Sequence, residues 1–149
     1  MENYEKNIVD PKYVYQKLDG KNFKVIDCTV YFELKKVGAS TIHSGYKDYL
    51  KRHIPGSAYL HMVDDLSEKD NPIPFSIVSQ EKLNEKLSSI GINNEDEIIL
   101  YGSGFHMAIT RAWWVLTMSG AKNVKIMNGG LASWQKPVSY THLTLPTMD

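Results

Sequence analysis

The chain has 149 residues, of which 17 are basic and 17 are acidic, and its hydrophobic fraction is 42%. This length suits one domain with a core that needs no disulfide or metal, and the balanced charge gives no reason to expect nucleic acid or an anionic membrane as a partner. No apolar run approaches the roughly 20 residues that span a bilayer, and the N-terminus is polar, so the prediction is a soluble, cytoplasmic protein.

Residue types that bind metals are present but are not spaced for it. Cys28 is the only cysteine, which excludes an intramolecular disulfide and a cysteine-based metal cluster. The five histidines are scattered, without a ligand spacing such as H-E-x-x-H. Asp64, Asp65, Glu68 and Asp70 lack the spacing of an EF-hand loop and are interpreted as a solvated loop. The sequence therefore predicts no metal site and no cofactor.

The first part of the chain alternates helix and strand signals. Asp10 followed by Pro11 is an N-cap signal, which opens a helix that ends near Leu18. Residues 23–27 form a β-type run that ends in an aspartate. Residues 37–45, with two glycines and two serines, predict a flexible loop.

The middle of the chain is less regular. A two-turn helix is predicted over residues 46–52, followed by a short strand over residues 57–60. Residues 64–75 contain two prolines and are rich in acidic side chains, so they predict a long polar excursion without regular structure.

The second half of the chain contains the strongest periodic signals. A helix capped by Ser79 runs to about residue 90, a strand follows at residues 98–101, and residues 108–118 have helical character. A strand at residues 124–127 and a helix at residues 131–136 complete the series. The alternation with short connections predicts an α/β fold, with a mostly parallel central sheet covered by helices on both faces.

The strand at residues 98–101, its glycine-containing loop and the following helix form the central unit. In α/β proteins a nucleophile or an anion site is built at such a loop, where N–H groups favour negative charge. Ser103 and His106 lie in the loop, but the G-x-S-x-G elbow of serine hydrolases is absent because Tyr101 occupies its first glycine position. A dinucleotide fingerprint fails because its third glycine would fall at Met107. A bare anion site and a tight turn without ligand are the alternatives.

Two further residues are candidates for chemistry. Cys28 follows the predicted strand at residues 23–27, where Asp27 would raise the thiol pKa rather than lower it. We therefore interpret Cys28 as a buried, unreactive thiol. His53 is predicted to lie at a helix C-terminus, where the helix dipole favours a positive imidazole, rather than to act as a base.

The predicted helix at residues 108–118 has more apolar surface than one sheet contact requires. A helix that covers one side of a sheet needs only a stripe of apolar residues. Here the apolar side chains extend well beyond one stripe: Ile109, Ala112, Trp113, Trp114, Val115, Leu116 and Met118. The excess predicts either a second buried surface, against another domain or subunit, or a helix deep in the core.

Three motifs resemble the rhodanese, or sulfurtransferase, superfamily. Residues 49–57, Y-L-K-R-H-I-P-G-S, are similar to the family signature of an aromatic residue, three residues and then H-[IV]-P-G-A. Residues 25–27, V-I-D, resemble a family strand, and residues 128–134, N-G-G-L-A-S-W, resemble its glycine turn and helix. The motifs occur in the family's order, and the resemblance extends over residues 8–136. It implies a rhodanese-like three-layer α/β fold.

The resemblance also implies where a catalytic residue would lie. Active rhodanese domains carry a cysteine directly after the central strand, commonly in C-x-x-G-x-R, and this chain has Gly102 in place of the cysteine and Met107 in place of the arginine. The resemblance therefore implies no catalytic residue in this chain. Residues 64–75 and the R-A-W-W helix are most similar to the N-terminal, non-catalytic domain of tandem thiosulfate and 3-mercaptopyruvate sulfurtransferases.

For the longer protein, the resemblance implies an enzyme that moves sulfane sulfur from thiosulfate or 3-mercaptopyruvate to a thiophilic acceptor. A second rhodanese domain is expected to pack near Trp113 and Trp114. The alternative is a stand-alone, catalytically inactive module that binds a partner or an anion through residues 102–107. The rhodanese-like domain is assigned to residues 1–136, and residues 137–149 are predicted to be a non-native or disordered tail.

Overall fold

Five strands form a parallel sheet at the centre of the computed structural model, which describes residues 6–135. In chain order they are β1 Ile8–Val9, β2 Phe23–Asp27, β5 Ala58–Tyr59, β6 Glu97–Tyr101 and β7 Asn123–Met127. Their order across the sheet is β1-β7-β6-β2-β5, and each neighbouring pair is parallel. The predicted mostly parallel sheet is confirmed.

The register of β2 and β6 fixes the position of the candidate site. The two strands pair over their whole length, from Phe23 opposite Glu97 to Asp27 opposite Tyr101. Both are largely buried and apolar, as expected for central strands covered on two faces. Because they end at the same level, the segments that follow them meet at one edge of the sheet, where Cys28 N donates to Tyr101 O at 2.8 Å.

Five helices cover the sheet, and two of them begin at the predicted capping residues. They are α1 Pro11–Lys17, α2 Tyr46–Lys51, α3 Gln80–Ser89, α4 Met107–Met118 and α5 Gly130–Trp134. Both predicted N-caps are confirmed: Asp10 Oδ1 accepts a hydrogen bond from Tyr13 N at 2.8 Å, and Ser79 Oγ accepts one from Lys82 N at 3.3 Å. Each cap satisfies an N–H group that the first helical turn leaves without a partner.

Helices pack on both faces of the sheet and produce the predicted three-layer arrangement. Along β6, Ile98 and Leu100 enter a core shared with α3 and α4, whereas Ile99 and Tyr101 enter a core shared with α1 and α5. This alternation follows from the two-residue period of a strand. Trp134, at 1% exposure, anchors the short helix α5 in the second core.

An antiparallel hairpin, β3 Val30–Glu33 with β4 Thr41–Ser44, stands beside the main sheet. The prediction of a flexible loop over residues 37–45 is therefore wrong at β4. In β4 only Ile42 is apolar, so the strand lacks an alternating pattern and depends on backbone pairing with β3. The sequence also missed β1, because two residues carry no periodic signal. The other predicted elements agree with the structure within two residues at each end.

The excursion at residues 64–75 forms no helix or strand and is tied to the helices beside it. Arg111 on α4 donates to the carbonyl oxygen of Phe75. Lys82 on α3 forms an ion pair with Glu68. The predicted irregular structure is confirmed, and these cationic side chains hold it against the domain.

Two predictions concern the C-terminal tail and membrane-spanning helices. The predicted tail, residues 137–149, lies outside the described residues, as does Lys136 at the end of the last predicted helix. Within residues 6–135, no helix has the length and apolar character that crossing a bilayer requires.

Candidate functional site

The candidate site is a crevice at the carboxyl ends of β2 and β6. It lies between the loop at residues 102–106 and the segment at residues 28–30. A cavity of about 330 Å³ opens there, and Asp27, Thr29 and Ser103 are among the residues that line it. Ligands of parallel α/β proteins bind at this edge of the sheet, where the loops that follow the strands converge.

The loop after β6 is filled by the chain's own polar groups. Ser103 N donates to Thr29 Oγ1 at 3.0 Å, and Phe105 N donates to Val30 O at 3.0 Å. An N–H group that already has an acceptor contributes little to an anion site. Of the two alternatives for this loop, the geometry favours the tight turn over the bare anion site.

Two glycines allow the loop to approach its neighbours closely. A Cβ atom at Gly102 would lie 3.2 Å from both Ile109 Cγ1 and Thr29 N. At Gly104, which has a φ angle of 75°, a Cβ atom would lie 2.6 Å from Val30 O. A side chain at position 102 therefore needs a small shift of both the Ile109 side chain and the Thr29 backbone.

The thiol of Cys28 is enclosed beside the loop. The side chain is 2% exposed, which confirms the predicted buried position. Burial raises the pKa of the Cys28 thiol well above its usual value, and the charges of Asp27 and Asp65 add to the effect. Met107, at the position where the resemblance places a cation, is 65% exposed and uncharged. The conditions that produce a reactive thiolate are therefore missing at Cys28.

Asp27 is the buried acid of the crevice. It is 3% exposed, and its Oδ1 atom accepts a hydrogen bond from Thr29 N at 2.8 Å. Burial raises the pKa of Asp27, while hydrogen bonds from Thr29 and the Tyr101 hydroxyl and the charge of His53 oppose the rise. No lysine or arginine among residues 6–135 forms an ion pair with Asp27. The carboxyl group is thus held by hydrogen bonds from neutral donors, and the charge that favours its ionised form is that of His53.

Ser103 and His106 do not form a catalytic pair. Ser103 is half-buried in the crevice, whereas His106 is exposed at the start of α4. No hydrogen bond joins the two side chains in the described part of the chain, and a nucleophile needs its base within hydrogen-bond reach. The geometry agrees with the missing G-x-S-x-G motif.

His53 lies just beyond the C-terminal end of α2, as predicted. Its Nδ1 atom donates to Tyr49 O at 2.6 Å, and its ring stacks on that of Tyr49 with centroids 4.3 Å apart. The residue is 9% exposed, so the imidazole is enclosed and held in one orientation. These contacts fit a structural role at the helix end.

The acidic residues of the excursion form ion pairs with lysines. Asp64 lies 2.9 Å from Lys69 Nζ, and Asp65 lies 3.5 Å from Lys86 Nζ. Across residues 6–135, no group of three or more histidine, cysteine, aspartate or glutamate side chains is placed to hold a metal ion.

A second surface beside the loop, which we call the apolar groove, has a volume of about 420 Å³. Its main lining residues are Phe32 of β3, Phe75, Phe105, and Met107 and Trp114 of α4. The rings of Phe32 and Phe105 stack with centroids 5.0 Å apart. Large apolar side chains gathered on one concave, exposed surface are typical of a protein interface.

The two tryptophans of α4 have different surroundings. Trp113 is half-buried against β7, and its Nε1 atom donates to Val124 O at 3.0 Å. Trp114 is 44% exposed and lines the apolar groove. The wide apolar surface predicted for this helix is therefore divided: Trp113 packs against the domain's own core, and Trp114 is left for a second surface.

The residues that the hairpin and α2 bring to the crevice are not predicted from the sequence. Tyr31 of β3 donates through its hydroxyl to Asp48 of α2, and both line the cavity together with Lys51 and Arg52. One signal was available, since residues 30–32, V-Y-F, form a short β-type run shortly after the strand at residues 23–27. The position of that run over the loop is a tertiary contact that periodicity does not encode.

A parallel sheet with helices on both faces, and a tight loop between its central strand and a helix, defines an α/β domain of the kind that carries its site on loops. Residues 10–137 match the family of the rhodanese-like domain, and the chain therefore belongs to that family. The rhodanese-like fold and the resemblance found in the motifs are confirmed.

Curated relatives of the chain are sulfurtransferases. The chain is 33% identical to the 3-mercaptopyruvate sulfurtransferase of Escherichia coli strain K12 over 90 residues, which are 60% of this chain and 32% of that protein. It is 29% identical to the thiosulfate sulfurtransferase of Bos taurus over 93 residues, which are 60% of this chain and 31% of that protein. The chain thus spans about a third of the length of these relatives.

Solved structures share the fold. A structure of SseA from Escherichia coli, described with the rhodanese fold of 3-mercaptopyruvate sulfotransferases, superposes with a TM-score of 0.69 and 27% identity, over 86% of this chain and 48% of that chain. The sulfur transferase subunit of yeast mitochondrial complex I superposes with a TM-score of 0.72 and 25% identity, over 88% of this chain and 41% of that chain.

Proposed function

We propose that this chain is the N-terminal, non-catalytic rhodanese domain of a two-domain sulfurtransferase. The whole enzyme moves sulfane sulfur from thiosulfate or 3-mercaptopyruvate to a thiophilic acceptor, and its reacting cysteine lies in a second rhodanese domain. The observation that carries the proposal is the loop after β6, where Gly102 replaces the cysteine and packs closely against Thr29 and Ile109. The chain's share of the length of its relatives, about a third, supports a longer protein.

The role of this domain in the proposal is to support the second one. The apolar groove leaves Phe32 42%, Met107 65% and Trp114 44% exposed, directly beside the loop. Fully burying one such side chain contributes about 1.5 to 3 kcal/mol, so covering the groove would stabilise a docked domain substantially. We therefore assign the apolar groove, near Trp114, as the surface on which the second domain packs.

A sulfur-transfer assay tests the inactivity of this chain. With thiosulfate or 3-mercaptopyruvate as donor and cyanide as acceptor, we expect no turnover above the rate without protein, for the wild-type chain and for Cys28→Ser alike. The physical reason is that the enclosed Cys28 thiol does not ionise readily. Turnover by the wild-type chain that disappears in Cys28→Ser would overturn the assignment and place the reaction at Cys28.

The loop itself is tested by restoring a thiol. We expect Gly102→Cys to remain inactive, because the new Cβ atom would lie 3.2 Å from Ile109 Cγ1 and Thr29 N and two loop amides already have acceptors. Gly102→Ala is the matched control and should lower the unfolding midpoint in urea to a similar extent. Sulfur transfer by Gly102→Cys would show that the loop is a competent thiolate site.

The gene downstream of the Lys136 codon tests the longer protein. We expect a continuing reading frame that encodes a second rhodanese domain, with a cysteine directly after its central strand. A continuation without such a domain would contradict the proposal and favour the stand-alone module.

Binding of an apolar dye tests whether the groove is uncovered in this chain. We expect Trp114→Ser to reduce dye fluorescence strongly, because Trp114 lines the groove. Leu50→Ser is the matched control, since Leu50 is 53% exposed on α2 and lies outside the groove. Equal fluorescence of the two variants would contradict an interface at the groove. Ultracentrifugation is the second measurement. A chain that is monodisperse by ultracentrifugation and does not bind the dye would favour the stand-alone module.

A cytoplasmic location is part of the same proposal. Fractionation of the source cells, followed by immunodetection, tests it. Recovery of the protein in an exported or organelle fraction would contradict it.

A further inference from the structure

The two methionines of α4 present their side chains to solvent. Met107, the first residue of the helix, is 65% exposed, and Met118, the last residue, is 67% exposed. The other sulfur-containing side chains among residues 6–135 are buried: Cys28, Met62 and Met127. Because oxidation of a sulfur atom follows its exposure, a soluble oxidant is expected to react first at the two ends of α4.

The two ends of α4 have different surroundings. Met107 lines the apolar groove together with Phe75, Phe105 and Trp114. Met118 does not line the groove, and its Cα atom lies about 16 Å further along the helix. A chemical change at Met107 therefore alters the groove, whereas the same change at Met118 leaves the groove as it is.

We propose that Met107 is an oxidation site that regulates docking at the apolar groove, with hydrogen peroxide as the oxidant. The inference rests on the proposed function, in which the second domain packs on this groove. The thioether sulfur attacks one peroxide oxygen, and a sulfur–oxygen bond forms as the oxygen–oxygen bond breaks. The proton of the transferred hydroxyl group passes to the departing hydroxide, which leaves as water. The sulfur is oxidised to a sulfoxide, and the peroxide is reduced.

The sulfoxide is a poor fit for a docked apolar surface. It is polar and accepts hydrogen bonds, so burying it without a donor has a desolvation cost. The two polar side chains of the groove already donate within the domain: Thr110 Oγ1 donates to Met107 O, and Arg111 Nη2 donates to the carbonyl oxygens of Leu66 and Phe75. Oxidation of Met107 therefore weakens docking, and methionine sulfoxide reductases reverse the change.

Peroxide treatment of the wild-type chain, followed by peptide mass spectrometry, tests the reactivity of the site. We expect sulfoxide at Met107 and Met118 well before it forms at the buried Met62 and Met127. Absence of sulfoxide at Met107 would overturn the inference.

Binding of anilinonaphthalene sulfonate, an apolar dye, then measures the effect on the groove. We expect the affinity for the dye to fall by about fivefold or more after oxidation and to recover after treatment with the two sulfoxide reductases, MsrA and MsrB. Urea unfolding is measured in parallel. An unchanged midpoint is expected, because both oxidised side chains are exposed.

Leucine variants separate the two methionines. Met107→Leu keeps an apolar side chain of similar size but has no sulfur atom, so it should bind the dye equally well before and after peroxide treatment. Met118→Leu is the matched control and should lose affinity for the dye as the wild-type chain does. An equal loss in Met107→Leu and the wild-type chain would overturn the inference.

The dye measurements also distinguish this inference from the proposed function. Dye binding by the reduced chain that does not depend on Trp114 would overturn the assignment of the groove, and this inference with it. Binding that depends on Trp114 but survives complete oxidation of Met107 would overturn this inference alone.

Discussion

The two ends of the parallel sheet hold a buried acid in different ways. At the amino end, the Glu97 side chain is 11% exposed, and its carboxylate accepts hydrogen bonds from Tyr13, Lys17 and Lys125 at 2.8 to 2.9 Å. At the carboxyl end, Asp27 is 3% exposed and is held by an amide and hydroxyl groups. The acid at the amino end is therefore held by two lysines, whereas the acid at the crevice is held by neutral donors and the charge of His53.

Burial favours the neutral form of both carboxyl groups, but their pKa values are shifted in opposite directions. Burial opposes the ionisation of Glu97, but hydrogen bonds from Lys17, Lys125 and Tyr13 outweigh it and lower the pKa of Glu97 to about 2. At Asp27 burial outweighs the neutral donors and raises the pKa. The ionised form of Glu97 therefore stabilises the fold, whereas the ionised form of Asp27 destabilises it.

The largest expected effect comes from removing the charge at the amino end. Glu97→Gln should lower the free energy of unfolding at neutral pH by about 2 to 3 kcal/mol, because it leaves two lysines without their anion. Urea unfolding measures the change. Glu95→Gln is the control, since Glu95 pairs with Lys122 at 73% exposure and should leave the unfolding midpoint unchanged. Equal effects of the two variants would break the comparison.

The pH dependence of stability tests the same carboxylate, Glu97, in the wild-type chain as well as in a variant. The folded pKa of Glu97, about 2, lies below its usual value of 4.5, so its contribution is complete above pH 4.5 and is lost as the pH falls towards 2. We expect the free energy of unfolding of the wild-type chain to fall across this window, measured in urea at several pH values. Glu97→Gln should show a flatter decline, and an identical slope would contradict the assignment.

A smaller effect of opposite sign is expected at the carboxyl end. The folded pKa of Asp27 is raised above its usual value of 3.8, so the ionised carboxyl group costs stability once the pH exceeds that value. Asp27→Asn keeps an oxygen acceptor for Thr29 N and should raise the free energy of unfolding at neutral pH by up to about 1 kcal/mol. A loss of stability as large as that of Glu97→Gln would show that the two ends do not differ.

The smallest effect separates the two lysines of the amino end. Lys17 is 47% exposed and Lys125 is 18% exposed, so solvent screens the first pair more than the second. Lys17→Gln should change the free energy of unfolding by less than about 0.5 kcal/mol, and by less than Lys125→Gln. Urea unfolding measures both changes. A larger loss of stability in Lys17→Gln than in Lys125→Gln would show that the exposed Lys17 contributes more to holding Glu97 than Lys125 does.

Local patterns were sufficient for the elements that carry their own signal. The apolar run that became β6 predicts a covered strand because it contains no polar alternation, and Asp10 and Ser79 predict helix starts because their side chains cap free N–H groups. The absence of a cysteine at Gly102 was likewise visible in the sequence. These features depend on neighbouring residues, which is why they were predictable.

Other features depend on contacts between distant segments. Trp113 and Trp114 are adjacent and chemically identical, yet one packs on β7 and the other lines the apolar groove. The strand β4 forms through pairing with β3, although its own residues are mostly polar. Lys51 and Arg52 lie at the end of the predicted helix over residues 46–52, and only the packing of α2 beside the loop brings them to the cavity of Asp27.

The sequence by itself determined the family, four of the five strands of the central sheet with the helices that cover it, and the absence of a thiol in the loop after the central strand, because periodicity, capping and motif spacing are local properties. The tertiary structure decided how that loop is filled, which tryptophan remains exposed, and which acid pairs with lysines. These outcomes follow from side chains far apart in the chain that come within hydrogen-bond distance only after the sheet and its helices have packed.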